Sequence, residues 1–317
     1  MKSITLINVQ FGPYKEYFPL FVNSCKNNPS IRFLLVTDQI FDSTPPNVIV
    51  RRTSFYDCKQ RIQNLFDFPI NLSSGYDLCD YKVAYGEIFQ DELCDADFWG
   101  YCDTDLIFGN IRKFITDDIL DRYDKILIRG HFTLFRNNLY INSIYRKRLA
   151  DGTNQYKKVF MDGGIHHFDE GMPGATKGIN TLFSENIGWN RVYDKYLFMD
   201  LCVDSYAFIN ADFKESRKEL EKASHSFFYY DNGNLYRCLM DGSFEEFMYI
   251  HFQKRNMKMG KLNAKSQQYY IIPNRFVAVN DITTAQLYRA NNKRIYWSRI
   301  FSQTKRRLKR GLRRIFE

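Results

Sequence analysis

The stretch "FWGYCDTDLIFGNI", Phe98 to Ile111, decides how the chain is read. Its apolar and aromatic run ends at Cys102. Two carboxylates follow, Asp103 and Asp105, with Thr104 between them, and the chain turns apolar again from Leu106 to Phe108. This is the pattern of a core strand with two acids at its tip. Removing an unpaired carboxylate from water costs several kcal/mol, so acids placed there require a cation, a dense set of donors or open solvent.

Outward from that stretch, the first half of the chain alternates between strand and helix patterns. "SITLINVQF" (3–11) reads as a first strand, "YKEYFPLFVNSCKNN" (14–28) as an amphipathic helix, "IRFLLVTD" (31–38) as a strand buried on both faces and "NVIVRRTSF" (47–55) as a third strand. "DLCDYKVAYGEIFQDEL" (77–93) has apolar residues at helical spacing and leads into "DFWGYCDTD" (97–105) as the fourth strand; "YDKILIRG" (123–130) is a fifth. The alternation predicts an α/β fold with a Rossmann-type, mostly parallel sheet flanked by helices. Ligands of such sheets collect at the carboxyl ends of the strands, where Asp103 and Asp105 fall.

The second half is less regular and rich in Tyr and Phe. "FMDGGIHHFDEGMPGATKGIN" (160–180) reads as a long functional loop or a short ribbon with loops, carrying His166, His167, Asp169 and Glu170. "FMDLCVDSYAFINADF" (198–213) has the composition of a strand, and "FEEFMYIHFQKRNMKM" (244–259) joins an apolar run to a basic one around His251.

Composition excludes several classes. With 317 residues, 44% hydrophobic and 17% aromatic, the chain buries a sizeable core and is not disordered as a whole. It has no apolar run long enough to span a bilayer, and Met1–Gln10 reads as a strand rather than a signal peptide, so a cytosolic location is expected. Seven cysteines without a C-x-x-C pair suggest neither a zinc knuckle nor a disulfide framework. The net charge of +9 lies in the tail: Lys293 to Glu317 carries ten Lys and Arg against the single acid Glu317, and the rest of the chain is balanced.

Three chemistries place Asp-x-Asp at a strand end. Solvated turn acids are the plainest. A phosphohydrolase of the haloacid dehalogenase type uses the first Asp as nucleophile and the second as acid. That family has Thr or Val where this chain has Ile107, and its motif opens the domain, whereas here three strands come first. The third chemistry is nucleotide-sugar binding. "FWGYCDTDLIFGNI", preceded by about a hundred residues of β-α-β pattern, resembles the D-x-D segment of GT-A-fold glycosyltransferases, especially the bacterial ones of capsule and lipopolysaccharide synthesis.

The resemblance implies a divalent cation, Mn²⁺ or Mg²⁺, held by Asp103 and Asp105 against the diphosphate of a UDP-sugar, where it neutralises the leaving group. It implies His251 as the third metal ligand, with Lys254 and Arg255 on the phosphates, and Lys82 in "DYKVAYGEIF" directed to the donor sugar. "NVQFGPY", with Phe11, cradles the uridine in this reading, and Asp38 binds base or ribose. If the anomeric carbon is inverted, Asp169 or Glu170 takes the acceptor proton.

In the tail, Trp297, Ile300, Phe301, Leu308, Leu312 and Ile315 fall on one helical stripe roughly 120° wide, with bases on the rest. Such a basic amphipathic helix belongs at an anionic membrane surface, the place of lipid-linked acceptors; nucleic acid is not expected, because the neutral body offers no basic groove. The expectation is therefore a catalytic domain over 1–285 and a basic appendage over 286–317. Its function is hexose transfer from a UDP-sugar to a lipid-linked or oligosaccharide acceptor at the inner membrane face. The rivals are the phosphohydrolase and a membrane-attached, non-catalytic nucleotide or glycan binder.

Overall fold

A computed structural model describes residues 1–171, 177–195, 198–201, 208–210, 217–253 and 255–290. The chain forms two compact units, one of Met1–Tyr14, Pro29–Thr104 and Ile115–Lys195, the other of Lys15–Asn28, Asp105–Phe114 and the described residues of Tyr196–Glu317.

The first unit is built on β1 (Ile4–Val9), β2 (Ile31–Thr37), β3 (Val48–Arg52), β4 (Phe98–Cys102), β6 (Lys125–Arg129), β7 (Phe132–Arg136) and β8 (Val192–Tyr193); β5 (Leu106–Phe108) belongs to the second unit. The seven strands run in the order β3-β2-β1-β4-β7-β6-β8. Pairings β1–β2, β2–β3, β1–β4 and β6–β8 are parallel, and β7 is antiparallel to both neighbours, so the sheet is mixed and mostly parallel, with helices packed against it. β4 is apolar throughout and fully buried, and β2 carries the buried apolar run Phe33 to Val36, as strands covered on both faces do.

Two local readings change. The strand expected over 97–105 ends at Cys102, which leaves Asp103 to Asp105 as the link to β5. The helix expected over 77–93 is broken into short α and 3₁₀ turns, Leu78–Tyr81, Lys82–Ala84, Tyr85–Ile88 and Gln90–Leu93. Gly86 lies so close to Trp99 that an added Cβ would stand 2.6 Å from the indole, which shows how tightly this segment packs on β4. The sequence reading also passed over β7 and the helix Phe55–Gln63, which Ser54 caps by accepting from the N–H of Asp57.

In the second unit the helix α1 (Phe18–Lys26) packs on β5, and the hydroxyl of Ser24 accepts from the N–H of Phe108. A four-stranded sheet runs β10 (Phe208–Asn210), β9 (Phe198–Leu201), β14 (Tyr249–His251), β5. A second sheet of five antiparallel strands contains β11 (Ser226–Asp231), β12 (Asn234–Leu239), β13 (Phe244–Glu246), β15 (Gln268–Ile272) and β16 (Arg275–Ala278). The helical turns at 284–290 place Leu287 and Tyr288 against it. The basic stripe expected over 297–315 lies outside the described residues. Among the described residues no helix is long and apolar enough to cross a membrane, and no disulfide forms.

Candidate functional site

In the first unit the sheet reverses its winding at β1. The chain goes from β1 outward to β2 and β3, then returns to place β4 on the other side of β1. At such a switch point the connections leave in opposite directions and open a crevice at the carboxyl ends of the two strands. Asp103 follows β4 there, and Gln10, Phe11 and Gly12 follow β1. Side chains tie the two ends together: the amide of Asn8 donates to Cys102 O at 2.9 Å, and the hydroxyl of Thr104 donates to Gln10 Oε1 at 2.8 Å. The N–H of Gly12 donates to the carboxylate of Asp38 at 3.0 Å, and Phe11 packs edge-on against Phe55. The amide of Gln39 and that N–H hold the exposed Asp38 below the usual carboxylate range.

Asp103 has its cation within this unit. Lys82 Nζ donates to Asp103 Oδ1 at 2.6 Å and to Gly130 O at 2.8 Å, and lies 3.8 Å from Asp169 Oδ2. Burial opposes the ammonium, but Asp103 and then Asp169 outweigh it and raise its pKa well above the usual lysine value. Asp169 goes the other way: burial dominates, and its carboxyl rises to about 7 despite Lys82. A carboxyl in that range exchanges its proton near neutrality.

The loop that carries Asp169 is fixed through its backbone. The helix Gln155–Asp162 leads into it, and the buried Asp80 accepts from the N–H groups of His166 and Phe168, both at 2.8 Å. The hydroxyl of Tyr101, on β4, donates to Asp169 O at 2.9 Å, and Glu170 Oε2 accepts from the N–H of Gly130 at 3.3 Å. A Cβ at Gly130 would stand 2.5 Å from Asp169 Oδ2, so a side chain there would displace that carboxyl.

In the second unit β5 and β14 pair antiparallel with Leu106 opposite His251, and the N–H of Phe252 donates to Asp105 O at 2.9 Å. That register puts His251 Nε2 3.5 Å from Asp105 Oδ1, both residues buried. A carboxylate and an imidazole turned toward each other are a mixed oxygen–nitrogen donor pair, of which the carboxylate suits Mn²⁺ or Mg²⁺. Arg255 lies just beyond, its carbonyl accepting from the hydroxyl of Tyr17 at 3.3 Å. Burial, and then Asp105, raise the pKa of Tyr17. Lys254 lies outside the described residues. Among the described residues no three His, Cys, Asp or Glu side chains are grouped as a metal cage.

The model of a family of unknown function, DUF6625, matches residues 6–280. The chain belongs to DUF6625. No curated protein matches this DUF6625 member. Among solved structures it is similar to the galactosyltransferase LgtC in complex with donor and acceptor sugar analogs, at 11% identity and a TM-score of 0.38, over 78% of this chain and 86% of that one. Within the DUF6625 chain the structure thus gathers Lys82, Asp103, Asp169 and Glu170 around Gly130, and pairs Asp105 with His251. Sequence reading missed Gly130, Tyr101 and Asn180 as parts of the first cluster. Gly130 contributes its own backbone N–H and carbonyl, whereas the hydroxyl of Tyr101 and the side-chain amide of Asn180 donate to the backbone carbonyls of Asp169 and Glu170, and "IRGHF" carries no side-chain pattern that announces this.

Proposed function

We propose that the chain is a metal-dependent glycosyltransferase that moves a hexose from a UDP-sugar to a surface-glycan acceptor, such as a lipid-linked or oligosaccharide chain. The observation that carries this reading is the position of Asp103 and of Phe11, Gly12 and Asp38 at the switch point of the sheet, where the strand ends would supply a nucleotide's polar contacts. Asp105 and His251 would hold Mn²⁺ or Mg²⁺, and the ion would supply charge neutralisation of the departing diphosphate.

The acceptor oxygen bonds to the anomeric carbon, the bond from that carbon to the UDP oxygen breaks, and UDP leaves with the electron pair. The hydroxyl proton passes to Asp169, with Glu170 beside it. Lys82 keeps Asp103 in place and keeps a positive charge next to the carboxyl that changes protonation state. Phe11 offers a ring face or edge to the uracil, and Asp38 an acceptor to ribose or base. Lys254 and Arg255 fit a role on the phosphates. The basic stretch from Lys293 onward is assigned to an anionic membrane surface on the cytosolic side, where lipid-linked acceptors are presented.

Mn²⁺-dependent binding of UDP, followed by calorimetry, tests this site. Asp105→Asn and His251→Ala should each weaken it at least about 10-fold, the effect of removing one oriented ligand of a shared ion, while the circular dichroism of the folded chain stays unchanged. Equal Mn²⁺-dependent affinity in wild type and both variants contradicts the assignment.

A further inference from the structure

The hairpin between β6 and β7 carries a one-residue irregularity. Ile126 pairs with Leu134, but Arg129 pairs with Phe132. Within the slip Leu127 is fully buried at φ 63°, a left-handed conformation that costs a side-chain-bearing residue about 1–2 kcal/mol. Strain of this kind persists only where neighbours over-determine it.

The neighbours here are side chains, and each takes one carbonyl. Lys125 Nζ donates to Leu127 O at 2.6 Å, and the amide of Asn180 donates to Ile128 O at 3.1 Å. The hydroxyl of Thr133 donates to Arg129 O at 2.8 Å, and Lys82 Nζ donates to Gly130 O at 2.8 Å. Lys125 also donates to Asn180 Oδ1 at 2.8 Å, and the same Asn180 amide donates to Glu170 O. Asn180 therefore has three bonds in three directions: to the buried lysine, to the bulge and to the loop holding Asp169 and Glu170. Lys125 itself is fully buried, which is costly for a lysine whose only service is to hold a turn.

We infer that Lys125 and Asn180 are a positioning pair: through the Leu127–Gly130 bulge they set the Asp169–Glu170 loop against Lys82 and Asp103. Neither residue touches a reacting atom. They fix where the carboxyls stand relative to the lysine, because the bulge presents Gly130 O to Lys82 and the N–H of Gly130 to Glu170, while Asn180 holds the carbonyl of Glu170. The inference rests on the functional reading above for its catalytic consequence and on this geometry alone for the loop.

The test uses the full chain and the variants Asn180→Ala and Lys125→Met. UDP release from UDP-glucose and UDP-galactose, with water as acceptor and Mn²⁺ present, should fall in kcat by about 100-fold for Asn180→Ala, the scale of an ångström misplacement, with KM within about twofold. The double variant should be no slower than the slower single one, because both residues act through one link. Hydrogen exchange should quicken at 166–171 and stay unchanged in β1, β2 and β4. Lys125→Met, which keeps Asn180, provides the same readouts where Asn180→Ala does not fold. Quicker exchange at 166–171 with unchanged kcat overturns the positioning role, and so does quicker exchange across the whole sheet or a purely additive double variant. If the wild-type chain releases no UDP from either donor, the functional reading fails, and the exchange result alone decides whether the pair holds the loop.

Discussion

A buried amine needs acceptors in either protonation state, and Lys125 has two, Leu127 O and Asn180 Oδ1, which a neutral amine satisfies with its two N–H groups. Burial lowers its pKa to about 7, against the opposing pull of Asp194, Glu170 and Asp169. The unfolded chain keeps that lysine protonated up to its ordinary value, so between pH 7 and about 10 the unfolded state binds the extra proton and stability rises with pH. The difference in unfolding free energy between wild type and Lys125→Met should therefore grow by about a kcal/mol per pH unit from pH 7 to 9. Urea unfolding at the two pH values measures it, and a pH-independent difference would mean that Lys125 is charged in the folded chain. Asp103 and Asp105 were legible as acids needing compensation because their flanks are apolar. Their partners Lys82 and His251 were legible too, as a lysine and a histidine beside apolar runs, although the direct pairings needed the fold. Asp80 and Asn180 were opaque, because they hold backbone groups of a distant loop.

The elements divide in the same way. The parallel strands were readable because burial on both faces leaves long apolar runs, as in β2 and β4. β7 was not, since a strand of five residues joined to β6 through a bulge gives no clean turn signal. The β11–β12 hairpin did carry one: Asn232 and Gly233, at φ 47° and 94°, form the two-residue Asn-Gly connection typical of a tight hairpin. Gly100 also has a reason visible only in three dimensions, since a Cβ there would stand 2.2 Å from Thr133 O across the β4–β7 pair. For the tail, the proposal rests on charge and periodicity. Deleting 293–317 should abolish sedimentation with vesicles containing anionic lipid while leaving Mn²⁺-dependent UDP binding intact, and the full chain's binding should weaken steeply with salt. Equal co-sedimentation of both forms, or preference for DNA over anionic vesicles at equal salt, contradicts the membrane assignment.

At the scale of the whole molecule the Asp-x-Asp motif lies where the chain passes from one compact unit to the other: Thr104 ends a segment of the first and Asp105 begins one of the second. Each acid is served by its own unit, Asp103 by Lys82 and Asp105 by His251. The first unit supplies a switch-point crevice and a carboxyl that titrates near neutrality, and the second a carboxylate and imidazole of metal-binding character. The function proposed above is a reaction in which a diphosphate departs and a hydroxyl loses its proton. Incubation of the purified chain with a panel of UDP-hexoses measures this most directly. Release of UDP that requires Mn²⁺ or Mg²⁺ and stops with a chelator is the predicted result. Release of inorganic phosphate from a phosphomonoester, with no UDP formed from any donor, would contradict it.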